Sequence, residues 1–140
     1  MFTIEVYDKK RYLRLQAEDQ VRAGKLLYEE SPDLFLIGPK FVRRSMKGRF
    51  DDAVIIIGGC QSLALPDLGQ AFLDGGASAF IGWNGMVDLS HNNETVLALL
   101  RAMTVDGLSP QRAVEESKNK MGPDPIYKSY LDLLPPSGAK

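Results

Sequence analysis

Cys60 and His91 are the only cysteine and the only histidine among 140 residues, and they lie thirty-one positions apart. A thiol and an imidazole together can perform nucleophilic catalysis, because the imidazole takes or holds the proton and the thiolate attacks an acyl carbon. Both are therefore candidate catalytic residues. Metal chemistry is not expected, since one cysteine and one histidine fall short of the three or four ligands of a zinc site, and a single cysteine closes no internal disulfide. Nor does Gly58-Gly59 open a phosphate-binding loop. It lacks both the Gly-x-Gly-x-x-Gly spacing and a following Gly-Lys-Ser/Thr, so no nucleotide or other cofactor is expected.

The elements around these residues follow from hydropathy and turn chemistry. Phe2, Ile4 and Val6 alternate with Thr3, Glu5 and Tyr7, the period of an edge strand with its apolar side buried. From Lys10 to Glu30, the spacing of Leu13, Ala17, Val21 and the Leu26-Leu27-Tyr28 cluster predicts a helix interrupted near its end by Gly24 and stopped by Ser31-Pro32. Leu34 to Ile37 reads as a short buried strand. It leads through Gly38-Pro39 into a basic run of Lys40, Arg43, Arg44, Lys47 and Arg49, which a solvated helix face explains best. Val54 to Ile57 has the all-apolar character of a central strand and delivers Cys60 at its carboxyl end, where open α/β sheets place their chemistry.

Beyond the thiol, Pro66-Asp67 starts a helix, with Gln70 spaced for a capping box and Gly75-Gly76 as its stop. Ala79 to Trp83 is a strand and Met86 to Leu89 a loop. Asn92 or Asn93 is a candidate cap for a helix burying Val96, Leu97, Leu99, Leu100 and Met103, closed by Gly107. Ser109-Pro110 begins another helix, through about Lys120, with Ala113 and Val114 inward, and Gly122-Pro123-Asp124-Pro125 ends it. Tyr130 to Leu134 fits a last edge strand, with a polar tail from Pro135. The alternation predicts an α/β fold, a mostly parallel sheet with helices on both faces, in a single domain spanning 1–140.

Apolar residues make up 44% of the chain and charged residues 25%, with a formal net charge of -1, the profile of a soluble globular protein with no global field for nucleic acid or an anionic membrane. The longest apolar run, Ala53 to Ile57, is far below the ~20 residues of a membrane span, and the first residues lack the pattern of a secretory signal. A cytoplasmic location is expected, and the sequon Asn93-Glu94-Thr95 then carries no glycan.

From about residue 34 to 135 the sequence resembles the C-terminal half of a caspase/gingipain-like cysteine peptidase domain, closest to gingipain-like proteins of prokaryotes. The resemblance rests on the order of its parts. These are a hydrophobic strand ending in Gly59-Cys60, the helix Leu68-Gly69-Gln70-Ala71-Phe72-Leu73, the turn Gly75-Gly76-Ala77 and a strand ending in Ile81-Gly82-Trp83. A polar segment through Ser90-His91, the Ala113 to Glu115 helix and Gly122-Pro123-Asp124-Pro125 follow.

The resemblance implies a three-layer caspase-like fold lacking its N-terminal part, with Cys60 as the nucleophile hydrolysing a peptide bond in a peptide or protein substrate, and with Gly59, Trp83 and Asp88 as contacts to that substrate in the cleft. In that family the base is a histidine on the strand preceding the cysteine, and the oxyanion is held by backbone N–H groups. No histidine precedes Cys60 here. The expected activity is therefore that of a cysteine endopeptidase only if a histidine base completes it, with His91 the one substitute in the chain. The alternatives are an inactive domain of the same fold serving binding or assembly, homo-oligomers included, and a flavodoxin-like small-molecule binder.

Overall fold

The computed structural model describes residues 1–26, 30–46, 50–64 and 66–134. Leu27 and Tyr28 of the expected first helix, Lys47 and Arg49 of the basic run, and the tail from Pro135 lie outside the described residues. The fold is mixed α/β, with two three-stranded sheets and five helices among the described residues. It divides into two compact units, Met1–Gly48 and Arg49–Lys140. No helix among the described residues is long and apolar enough to cross a membrane.

In the first unit, β1 (Phe2–Val6) and β2 (Val21–Gly24) pair antiparallel with β3 (Leu34–Ile37), which lies between them. The long helix expected from Lys10 to Glu30 is not formed. Its start survives as α1 (Leu13–Ala17), after which Asp19 takes a left-handed φ of 57° and the chain turns into β2. Gly24, which reads as a break in a helical pattern, has a different role. A Cβ there would stand 2.6 Å from Leu36 Cγ and 3.1 Å from Phe2 Cε1, so only glycine fits the ladder at this point.

β1 is also turned over relative to expectation: Phe2, Ile4 and Val6 face solvent, with Ile4 100% exposed, while Thr3 and Glu5 are half-buried. The reason is local. The segment after β1 folds across the Thr3 and Glu5 side, Tyr7 and Tyr12 pack edge-on against the buried Phe35 ring, and Tyr12 Oη donates to Glu5. After Pro39 begins α2 (Pro39–Arg44), Lys40 pairs with Asp19 at 3.2 Å. Hydrogen bonds from Arg22 and Lys40 hold the Asp19 carboxyl well below its ordinary value.

The second unit carries the candidate site. β4 (Val54–Ile57) pairs parallel with β5 (Ala79–Trp83), and β6 (Leu131–Leu134) pairs antiparallel with β5 on its far side. The expectation of a mostly parallel sheet is corrected, since among the described residues only β4 and β5 run parallel in the four strand pairings. β5, not β4, is the central strand, and all five of its residues are buried. Alternate side chains of a strand point to opposite faces, and here each face is covered. Phe80 stacks on Phe72 of α3 (Pro66–Asp74), while Ile81 and Trp83 join Leu99 of α4 (Leu89–Thr104) and Ala113 and Val114 of α5 (Pro110–Met121). Fully burying Phe80, Ile81, Trp83, Leu99 and Leu131 stabilises the unit by roughly 1.5–3 kcal/mol for each side chain.

Helix ends follow their chemistry. Gly76, at φ 103°, ends α3, with the Gly76 and Ala77 N–H groups donating to Leu73 O and Phe72 O. Ser109 caps α5, its Oγ accepting from Arg112 N–H, and Pro110 occupies the first turn. α4 starts earlier than expected because Asp88 is its cap, which puts Asn92 and Asn93 inside the helix. Its buried side is Asn92, Thr95, Leu99 and Ala102, whereas Leu97 and Leu100 are exposed.

Candidate functional site

The residues around Cys60 converge at the carboxyl ends of β4 and β5. β4 stops when Gly59 N–H turns back to Ile57 O at 3.0 Å, and Cys60 follows as an exposed residue. Gln61 then adopts a left-handed φ of 56°, its N–H donating to Gly85 O at 2.7 Å. Ser62 ties the two strand ends together, its Oγ accepting Trp83 N–H at 2.7 Å and donating to Ile57 O at 3.0 Å. The thiol is thus placed at a strand end by a fixed turn.

The Cys60 sulfur is held by one peptide segment. Sγ accepts Val87 N–H at 3.4 Å and donates to Val87 C=O at 3.5 Å. Next to Val87, Asp88 is pinned twice. Its N–H donates to the Asp124 carboxylate at 2.7 Å, and its own carboxylate accepts Ser90 N–H at 2.9 Å and His91 N–H at 3.3 Å. Both of those bonds go to Asp88 Oδ1, which makes this carboxylate the cap of α4.

Asp124 has no exposed surface and is the hub of this corner. Its Oδ1 takes the N–H groups of Ile126 and Tyr127 at 2.9 and 2.6 Å, while Oδ2 takes that of Asp88. Burial pushes its carboxyl up, but the backbone bonds from Tyr127, Asp88 and Ile126, with His91 adding a favourable charge, outweigh burial and leave it below its ordinary value. Further links run between the same two loops. Asn84 Oδ1 accepts Tyr130 N–H at 2.9 Å, and Ser129 Oγ donates to Met86 O.

Trp83 is fully buried, its indole N–H donating to Asn92 Oδ1 at 2.8 Å. It is a core residue rather than the wall of an open cleft. His91 packs beside it, ring centroids 5.7 Å apart, and its Nε2 is enclosed with no hydrogen-bond partner among the described residues. No hydrogen bond joins His91 to Cys60 among the described residues. Gly59 does leave room, since a Cβ there would meet nothing within 4 Å, but its N–H is already used by Ile57 O.

The five candidate residues therefore share one corner without forming a relay. Chemically, the arrangement supplies an accessible thiol and a backbone donor toward it, with no base bonded to it. Among the described residues no three of His, Cys, Asp and Glu are grouped to hold a metal ion. A cavity of about 260 Å³ lies elsewhere, between α4 and α5, lined by Ala98, Ala102 and Ser117 among others, and none of the candidate residues borders it.

Sequence reasoning missed Val87, Asn92 and Asp124. Val87 acts through its backbone and leaves no side-chain signal. Asp124 did carry one, because an aspartate just before a proline and after a helix stop is placed to accept N–H groups two and three residues on. No protein-family model, curated protein or solved structure matches the chain.

Proposed function

We propose that this chain is a caspase/gingipain-like cysteine peptidase-related domain, of three-layer type, that serves binding or assembly and does not cleave peptides by itself. Cys60 occupies the inherited nucleophile position and has been retained as a held thiol. One observation carries this reading. Both hydrogen bonds of the Cys60 sulfur go to the Val87 peptide, while the only imidazole in the chain has its Nε2 enclosed and unbonded. A thiol without a base to take its proton lacks the feature on which nucleophilic catalysis depends. The layering of α3 against α4 and α5 across β5, and a cysteine at the carboxyl end of the parallel strand β4, support the fold assignment.

The test is hydrolysis of a diverse fluorogenic peptide library by the purified chain, beside the Cys60→Ser variant. The two are expected to give the same background. Cleavage abolished by Cys60→Ser would overturn the non-catalytic reading. A second reading is favoured by the exposure of Cys60, which leaves the sulfur open to a base from another polypeptide. It expects Cys60-dependent cleavage to emerge when free imidazole is added at neutral pH, and no such rescue under the first reading.

A further inference from the structure

The cavity of about 260 Å³ between α4 and α5 lies wholly within the second unit. It exists because α4 lines it with Ala98 and Ala102, one helical turn apart on one side of the helix, where longer side chains would fill the space. α5 contributes Ser117, 1% exposed, whose Oγ has no hydrogen-bond partner among the described residues. A buried helical serine ordinarily returns its O–H to the C=O one turn back, and an unpaired buried hydroxyl is destabilising. Three buried side-chain polar atoms lack a partner among the described residues, and of these only Ser117 Oγ borders this cavity. The rim carries both signs of charge. Arg101 and Lys120 are its cations and Asp106 and Glu116 its carboxylates; all are exposed, and none of the four side chains makes a hydrogen bond or ion pair among the described residues.

We infer that this cavity binds a free α-amino acid with a small apolar side chain, of the size of valine or leucine. Volume sets the size. A cavity of ~150 Å³ takes benzene, six non-hydrogen atoms, so this one suits a ligand of about ten, below the drug-sized molecules of larger pockets. Charge sets the class. A ligand bearing only a carboxylate would leave Asp106 and Glu116 facing an anion, and one bearing only an ammonium would leave Arg101 and Lys120 facing a cation, whereas a zwitterion complements both pairs. The Ser117 O–H then donates to the α-carboxylate, a charge-assisted bond that satisfies the orphaned hydroxyl, and the apolar side chain rests on Ala98 and Ala102.

Heteronuclear NMR titration of the full chain with free L-leucine and L-valine is expected to give saturable shifts centred on Ala98, Ala102 and Ser117. Isocaproate, which is leucine without its ammonium, and isoamylamine, which is leucine without its carboxylate, are each expected to bind at least ~tenfold more weakly. Ser117→Ala removes the unpaired hydroxyl, so it is expected to melt no lower than the wild type yet to bind leucine at least ~tenfold more weakly. Ala98→Leu, at a half-buried position, is expected to fill the cavity and abolish binding with the far-UV dichroism intact. No saturable shift with either amino acid, an analogue that binds as tightly as leucine, or leucine binding indifferent to both substitutions overturns the proposal. The site does not depend on the peptidase-related reading: cleavage is read out with Cys60→Ser and binding with Ser117→Ala, so each fails separately.

Discussion

The Asp124 carboxylate accepts the backbone N–H of Asp88 at 2.7 Å, one residue beyond the Val87 peptide that holds the Cys60 sulfur. A buried side chain at the far end of the unit's sequence thereby fixes the segment against which the thiol rests. The link is indirect but continuous, from Asp124 through Asp88 and Val87 to Cys60.

Replacing that carboxylate is expected to loosen the whole corner. In Asp124→Asn one acceptor oxygen becomes an NH₂ group facing N–H donors, so buried donors lose partners and none can reach water. Thermal unfolding is expected to fall by ~10 °C. Labelling of Cys60 by a bulky maleimide is expected to speed up several-fold at a temperature where the variant is still folded. A variant with normal melting and unchanged labelling would separate Asp124 from the thiol.

The same group predicts how stability depends on pH. Its folded pKa lies below the unfolded value because three N–H donors favour the charged form. Its contribution is therefore fully present above the unfolded pKa, about 3.9, and is lost as pH falls through the depressed folded value. Urea unfolding of the wild type and Asp124→Asn is expected to show a constant stability difference from neutrality down to the unfolded pKa, narrowing between it and the depressed folded value. A difference that widened on acidification would contradict the assignment.

Trp83 provides a third test, since its indole N–H and the Asn92 oxygen are both buried and bonded only across this pair among the described residues' contacts to that oxygen. Trp83→Phe keeps an aromatic ring but orphans the Asn92 oxygen, which costs about 1–3 kcal/mol. In Trp83→Phe/Asn92→Leu both polar partners are gone, and part of the loss is expected to return. Chemical denaturation of the four forms measures the coupling, and strict additivity would exclude the hydrogen bond as its source.

Much of the second unit was legible because its patterns are local. The five-residue run Ala79 to Trp83 matches β5 at both ends, and Ser109-Pro110 marks the start of α5 through chemistry that acts within three residues. What was hidden depends on partners distant in sequence. Val21 to Gly24 has helical spacing, yet its ladder with Leu34 to Ile37 decides its state, and the inward turn of Thr3 and Glu5 depends on Tyr7 and Tyr12 closing over Phe35. At the site, Cys60 is placed at its strand end as its flanking run suggests, but the Val87 contact is made by backbone atoms common to every residue. No composition or spacing reports it.

Two glycines that look alike in sequence are expected to behave oppositely on substitution by alanine. Gly69 lies within α3, where alanine would ordinarily gain about 1 kcal/mol of helix propensity. Its added Cβ, however, would stand 2.7 Å from both Phe80 Cδ1 and Leu134 Cδ2, atoms of a sheet face packed beneath the helix. Overpacking of this kind costs about 1–3 kcal/mol, so Gly69→Ala is expected to be destabilising on balance. At Gly59 the added Cβ meets nothing within 4 Å, and Gly59→Ala is expected to leave stability nearly unchanged while shading the approach to Cys60. Paired denaturation curves, with thiol labelling of Gly59→Ala, check both; a stabilised Gly69→Ala would mean that α3 can move off β5, and faster labelling of Gly59→Ala would mean that the open side of the turn is not the path to the sulfur.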